Sequence, residues 1–168
     1  MPSKSQSILL GAGVTFALIL VQLFLSVQGG QAGQYLSTVA CCLAAVGGAG
    51  AAVWHYTSTY RLTLPAGPGA GLGAAATSLG YIAAYIVGEV MQAVGAFPSD
   101  EEIMERTREQ LIAQGMAPES IDAAMQTGEM FTGVLGAVVS LVVLAVLGAI
   151  VGAIAASIFK KGEVDEAY

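Results

Sequence analysis

Four long apolar runs constrain this chain more than any other feature of its sequence. They cover residues 8–27, 36–56, 72–94 and 131–159. A helix needs about 20 apolar residues to cross the hydrocarbon core of a bilayer, whereas barrel strands alternate and are about 10 residues long. The length of the runs therefore predicts an all-α integral membrane protein with four transmembrane helices, forming a single membrane domain over residues 1–168.

Composition and charge narrow the class further. Charged residues make up 11% of the chain, against ~25% in soluble domains. The net charge of −6 leaves no basic stripe to neutralise phosphates, which argues against nucleic acid as a partner. Cys41 and Cys42 are adjacent, and this spacing implies no disulfide framework. The expected partners are the lipid bilayer and other membrane protein subunits, in hetero- or homo-oligomers.

The positions of the basic residues predict the orientation in the membrane. With four crossings, Lys4, Arg61, Lys160 and Lys161 lie on the same side as both termini. The other two bases lie within an acidic segment, 98–130, on the opposite side. The positive-inside rule then predicts cytoplasmic termini and a periplasmic acidic segment. The first run is longer than the apolar core of a signal peptide, so we expect it to be an anchor.

The acidic segment 98–130 has the features of a helical hairpin between the third and fourth runs. Ser99 and Glu102 have the spacing of a capping box, and Gly115 suits the left-handed end of the same helix. Pro118 fits the first turn of a second helix. Each helix has a narrow apolar stripe, which favours packing of the two helices on each other and on the rim of the membrane domain. Docking of a partner is the second interpretation.

Small residues recur at four-residue spacing on the third and fourth runs. Lipid supplies no hydrophobic drive between helices, so rows of small residues indicate where backbones approach closely. The candidate packing residues are Gly80, Ala84 and Gly88 on the third run and Gly148, Gly152 and Ala156 on the fourth, with Gly69 and Gly73 as a further pair. Contacts within one chain and contacts between chains are both open.

Glu89 is the one charged residue within the apolar runs. Its neighbours on one arc of the third helix are Ser78, Tyr81, Tyr85 and Gln92. We expect this polar sector to face other helices. Gln22 and Ser140 lie at a depth similar to that of Glu89, which predicts a polar layer in the outer half of the membrane. An ionised acid in the membrane costs at least ~2.5 kcal/mol, and holding helices together is the favoured role, with proton or ion handling as the alternative.

No constellation of residues predicts catalysis. His55 is the only histidine, and we expect Trp54, Tyr56 and Tyr60 to form an inner aromatic belt around it. A single axial ligand to a haem or chlorophyll is the alternative role of His55. The sequence offers no Cys/His cluster for a metal and no serine, histidine and acid at one depth. We therefore expect no metal, no cofactor and no enzymatic activity.

Two segments carry a resemblance to a known family. The stretch "ERTREQLIAQGMAPESIDAAMQTGEMF" and the last run, which ends "GAIVGAIAASIFKK", resemble small bacterial membrane proteins with four spans, domain of unknown function 4199. Residues 114–119 and the terminal Lys160-Lys161 are the most specific part. No activity is known for the family, so the resemblance implies only the topology and a location in the bacterial inner membrane.

The expected function follows from these features. We expect a non-catalytic accessory or structural subunit of a larger bacterial membrane complex, for which a respiratory or photosynthetic complex is one setting. It would bind partners through the small-residue helix faces and the acidic outer hairpin. The alternative is a small proton- or ion-coupled transporter or channel component that uses Glu89.

Overall fold

A computed structural model describes residues 3–28, 30–130, 133–160 and 163–164. Within these residues the helices are α1 (Ser5–Gln28), α2 (Gly30–Tyr60), α3 (Ala66–Ala93), α4 (Asp100–Ala113), α5 (Pro118–Met130) and α6 (Gly133–Ile158). Two strands of two residues each, β1 (Leu62–Thr63) and β2 (Glu163–Val164), pair in parallel. Apart from this short pair the regular secondary structure of the described chain is helical, as predicted.

Within the described residues, three helices are long and apolar enough to cross a membrane, where four were predicted. They are α1 over Ser5–Leu25, α3 over Ala66–Ala93 and α6 over Gly133–Ile158. The predicted second run, 36–56, lies in α2. The described part of α2 is not among the helices that could cross a membrane, and the side chains of residues 37, 38 and 41 lie outside the described residues. Residues 131–132 of the predicted fourth run also lie outside.

The third membrane helix begins six residues earlier than the predicted run, at Ala66 rather than Leu72. The N–H of Gly69 donates to the carbonyl of Pro65 at 3.0 Å, which is the first helical hydrogen bond. Pro68 lies in this first turn, where a missing N–H costs no helical bond. The prolines of this stretch are therefore compatible with the start of the helix.

The described contacts divide the chain into two compact units. The first unit comprises Met1–Ile86 and Leu141–Tyr168, and the second comprises Val87–Ser140. The first unit contains α1, α2 and most of α3 and α6. The second contains the remaining ends of α3 and α6 together with α4 and α5.

In the first unit α1 packs antiparallel to α2. A Cβ built at Gly11 would lie 2.5 Å from the carbonyl oxygen of Gly48, while Ser7, one turn earlier, is hydrogen-bonded to His55, two turns later. Such close backbone approach requires glycine, since any side chain would hold the helices apart.

The same unit places α1 and α3 side by side and parallel. A Cβ built at Gly11 would lie 2.9 Å from the Cβ of Ala76, and one built at Gly80 would lie 2.5 Å from the Cβ of Thr15. Gly11 faces Ala76, and four residues later along both helices Thr15 faces Gly80, so α1 and α3 run in the same direction. The chain that links α1 to α3 must therefore return to the side on which α1 begins. The antiparallel helix α2 makes that return.

The surface of the first unit is apolar and its interior contains polar groups. Large exposed side chains include Leu9, Val21 and Phe24 on α1, Leu43 and Val46 on α2, Leu79, Ile82 and Ile86 on α3, and Val142, Val146, Ile150 and Ile154 on α6. The fully buried polar residues are Ser7, Thr15, Thr57 and Thr77. Water-soluble proteins rarely expose apolar patches of this extent. Together with the three long apolar helices, this surface indicates a membrane protein.

The largest buried side chains of the first unit lie near the start of α3. Tyr56 is 1% exposed and packs in a cluster with Leu64 and Leu72. The centroid of its ring lies 5.2 Å from that of Tyr60. The predicted aromatic belt is therefore wrong for Tyr56, which fills the interior, whereas Trp54 is exposed.

Candidate functional site

Thr77 joins α3 to α6 at the centre of the first unit. Its side chain is fully buried, and its hydroxyl oxygen lies 3.0 Å from the carbonyl oxygen of Gly73 and 3.2 Å from that of Leu144. The hydroxyl thus donates within its own helix and across to α6. A Cβ built at Gly148 would collide with this hydroxyl. Glycine at this position leaves the space that the threonine occupies.

Thr15 makes the corresponding contact between α1 and α2. It is also fully buried, and its hydroxyl oxygen lies 3.1 Å from the carbonyl oxygen of Gly11 and 3.4 Å from that of Ala44. A Cβ built at Gly48 would collide with this hydroxyl. A buried hydroxyl in a membrane helix needs such partners, because lipid offers none.

The two contacts share one pattern. Each threonine follows a glycine by four residues, in "GAGVT" (11–15) and "GAAAT" (73–77). Each threonine also donates to a carbonyl that lies four residues before the glycine facing it. On α2 the carbonyl belongs to Ala44 and the glycine is Gly48; on α6 they are Leu144 and Gly148. The pairs α1–α2 and α3–α6 are therefore two versions of one helix contact. Neither threonine was predicted from the sequence, although the repeated G-A-x-x-T stretch was the available signal.

The predicted small-residue rows pack within the chain. A Cβ built at Gly69 would lie 2.5 Å from the Cβ of Ala156, and one built at Gly152 would collide with the carbonyl of Gly69. A Cβ built at Gly80 would lie 2.6 Å from the carbonyl oxygen of Ala12. The other two small residues of the row on the third run differ in burial: Ala84 is buried and Gly88 is partly exposed. The faces expected to bind partners are thus largely used inside the protein.

The three residues of the predicted polar layer differ in burial. Glu89 and Ser140 are exposed and belong to the second unit, while Gln22 is half-buried in the first. None of the three has a hydrogen bond or ion pair to a described residue. Glu89 is therefore not covered by its own chain, and its contact with helices of another subunit stays a prediction.

The buried face of α3 explains where the polar sector points. That face consists of Gly69, Leu72, Gly73, Ala76, Thr77, Gly80 and Ala84. At 100° per residue the centre of this stripe lies about 140° from the centre of the polar arc. Small residues with a threonine, rather than the carboxylate, therefore determine which side of α3 is buried.

His55 contacts α1 rather than a cofactor-sized space. Its Nδ1 lies 2.9 Å from the hydroxyl oxygen of Ser7, whose side chain is fully buried. Among the described residues no carboxylate is bonded to either member of this pair, and no group of three or more His, Cys, Asp or Glu could hold a metal ion. The pair links α1 and α2 about two turns from Thr15.

The hairpin formed by α4 and α5 has the ends that were predicted. The Glu102 N–H donates to the Ser99 hydroxyl at 3.3 Å, and the Ser99 N–H donates to the Glu102 carboxylate at 3.0 Å, which completes the capping box. Gly115 has a φ of +73° and ends α4 in the left-handed conformation. Pro118 is the first residue of α5. These three predictions are confirmed.

The two helices of the hairpin pack through a small contact. Ile121 is buried, and a Cβ built at Gly128 would lie 3.6 Å from the sulfur of Met104. Arg108 and Asp122 form an exposed ion pair at 3.9 Å. Ile112 is 59% exposed, so the hairpin presents apolar as well as acidic residues on its surface.

Charge is unequally divided between the two units. Residues 87–140 hold nine of the twelve acids and two of the six bases, a net charge of −7. The remaining three acids and four bases give the first unit a net charge of +1. The acidity of the whole chain is therefore a property of the second unit.

No protein family, curated protein or solved structure matches this chain. The resemblance to domain of unknown function 4199 is therefore carried by the quoted motifs alone.

Proposed function

We propose that this chain is a non-catalytic integral membrane subunit that binds a basic surface of another protein through its second unit. The observation that carries the proposal is the division of charge, −7 in the second unit against +1 in the first. An acidic, water-facing hairpin attracts a basic partner and raises its association rate. The exposed Ile112 supplies apolar area for the same contact.

The proposal includes four membrane crossings, with α2 as the second. The parallel arrangement of α1 and α3 supports this, since the chain returns between them along α2. Taken with the basic residues at the termini and at Arg61, it favours cytoplasmic termini and a periplasmic hairpin. The bacterial inner membrane is the proposed location, supported by the resemblance of the hairpin and the last helix.

Cysteine labelling tests the four crossings. In a Cys41→Ser, Cys42→Ser background, single cysteines replace Ser3, Thr59 or Ala117, and a membrane-impermeant maleimide is applied to intact and to opened cells. Four crossings place positions 3 and 59 on one side and 117 on the other. If α2 does not cross, positions 3 and 117 label together and 59 labels opposite them, which would overturn this topology.

Neutralising one acidic row of α4 tests the binding role. Glu101, Glu105 and Glu109 are exposed and lie four residues apart. A photo-reactive amino acid at Ile112 is expected to crosslink to a Lys/Arg-rich segment of one partner. Changing the three glutamates to glutamine should weaken that crosslink about tenfold, mainly through slower association, and added salt should weaken it in the unchanged protein.

The matched control replaces neutral polar residues of the same hairpin, Ser120→Ala with Gln126→Ala, and should keep the crosslink. A chain that stays monomeric in mild detergent and crosslinks to no protein in membranes would overturn the subunit role. A proton or ion flux that Glu89→Gln abolishes, with the crosslink unchanged, would favour the transporter instead.

A further inference from the structure

An open apolar groove runs between α2 and α6 on the surface of the first unit. Its volume is about 460 Å³, within the range of ligand pockets. Its floor is formed by the small residues Gly47, Gly50 and Ala51. A Cβ built at Gly50 meets no atom within 4 Å, so the groove exists because α2 has no side chain there.

The two helices that form the groove run in the same direction, which gives it a deep end and a mouth. The deep end lies at Val46 and Val151, and the mouth lies at Trp54 and Phe159. Eight residues of α6 separate the two ends, about 12 Å of helix. The groove therefore extends inward from the helix ends and not across the whole membrane.

The mouth of the groove has hydrogen-bond donors that are bonded to no residue the structure describes. Trp54 lines it and is 49% exposed, and Lys160 directly follows Phe159 and is exposed. Within the described residues neither side chain has a hydrogen bond or ion pair. Arg61, two turns beyond Trp54 along the chain, is likewise exposed without a described partner. The indole of Trp54 thus lines an otherwise apolar slot, and Lys160 directly follows the lining residue Phe159. Arg61 directly precedes Leu62, whose pairing with Glu163 brings the ends of the two chain segments together.

The geometry points to a binding site for an anionic phospholipid, with one acyl chain in the groove and the phosphate at Lys160 and Arg61. Basic pockets beside transmembrane helices on the cytoplasmic side are suited to anionic headgroups, and Arg and Lys pair strongly with phosphate oxygens. A partner helix would use the apolar groove but would leave the cations at its mouth without partners. This site is independent of the protein-binding role proposed for the second unit.

Native mass spectrometry and fluorescence test the site on the full chain. The purified protein is titrated with phosphatidylglycerol and with phosphatidylcholine of the same acyl chains, and phosphatidylglycerol should bind at least fivefold more tightly. Trp54 is the only tryptophan. Brominated phosphatidylglycerol in vesicles should therefore quench its emission more than brominated phosphatidylcholine at the same mole fraction.

Two kinds of variant separate the groove from its mouth. Gly50→Leu should fill the groove and remove the tight lipid adduct, whereas Gly13→Leu, at another open position with no atom within 4 Å, should keep it. Lys160→Gln removes one positive charge and should therefore reduce the preference for phosphatidylglycerol about fivefold. It should leave phosphatidylcholine binding unchanged. Equal melting temperatures of the two leucine variants show that the fold is retained.

Three outcomes would overturn the proposal. The two lipids bind equally well; Gly50→Leu and Gly13→Leu bind phosphatidylglycerol equally well; or the unchanged protein is a dimer that Gly50→Leu converts to a monomer, which assigns the groove to a second copy. If Gly50→Leu lowers the melting temperature, the Trp54 quenching in the unchanged protein and the effect of Lys160→Gln decide the question alone.

Discussion

Glycine and threonine act together in the interior of the first unit. Thr77 needs acceptors because lipid provides none, and it reaches the Leu144 carbonyl only where the facing residue, Gly148, has no side chain. The hydrogen bond and the close approach of the backbones therefore depend on each other. Thr15 with Gly48 repeats this arrangement on α1 and α2.

A methyl group at Gly148 is expected to destabilise the protein. In Gly148→Ala the new Cβ would lie 2.8 Å from the Gly73 carbonyl oxygen and against the Thr77 hydroxyl, and overpacking of this kind costs about 1–3 kcal/mol. Gly50→Ala is the control, because its Cβ enters open space and alanine favours the helix. Thermal unfolding in mild detergent should show a lower melting temperature for the first variant only. Equal melting temperatures would contradict the packing described here.

The hydrogen bond across α3 and α6 is tested by Thr77→Val, which keeps the shape of the side chain and removes the donor. We expect a loss of about 0.6–1.7 kcal/mol in the free energy of unfolding. Thr57→Val is the matched control, since Thr57 is also fully buried but donates only to carbonyls of its own helix. The measurement is unfolding by denaturing detergent, and a larger loss in the Thr57 variant would refute the role assigned to Thr77.

At the scale of helices, the sequence predicted where helices end better than it predicted which faces of the helices pack together. Ser99, Glu102 and Gly115 lie within a few residues of the helix ends that they shape, so the sequence alone contained the necessary information. The burial of α3 was different, because it depends on the glycines of α1 and α6 that face it. Glu89 is the only charged residue in the apolar runs, yet it does not lie on the buried face of α3.

The end of α4 is expected to depend on Gly115. Its φ of +73° costs a residue with a side chain about 1–2 kcal/mol, so Gly115→Ala should weaken the hairpin. Hydrogen exchange of the full chain should become faster across α4 and α5. Gly128→Ala is the control, because its Cβ meets Met104 at an ordinary 3.6 Å and alanine favours the helix. Unchanged exchange in Gly115→Ala would show that the turn does not need the left-handed residue.

At the scale of the whole molecule, each unit has its own chemistry. The first has an apolar surface, fully buried residues whose hydroxyls are hydrogen-bonded inside (Ser7, Thr15, Thr57 and Thr77) and a net charge near zero, all of which suit lipid. The second has an exposed acidic hairpin, which suits water and a charged partner. The repeated threonine and glycine contact further divides the first unit into the pairs α1–α2 and α3–α6. Each pair contains the groups that satisfy its own buried hydroxyl.

This division predicts that the two helix pairs assemble as separate chains. Cells that express residues 1–61 and 62–168 should yield both fragments in detergent when only one is tagged, since stable helices associate in the membrane after insertion. The pairs meet at Gly80, where a built Cβ would lie 2.5 Å from the Cβ of Thr15 and 2.6 Å from the carbonyl oxygen of Ala12.

Gly80→Ile in the second fragment should therefore lower recovery of the first fragment about tenfold, which corresponds to about 1.4 kcal/mol and lies within the cost of overpacking. Gly71→Ile should not lower it, because Gly71 is exposed with no atom within 4 Å of a built Cβ. Quantitative immunoblotting of the co-purified fragments gives the ratio. Fragments that never associate would show that the pairs cannot form independently, and equal recovery with both isoleucine variants would place the contact between the pairs elsewhere on α3.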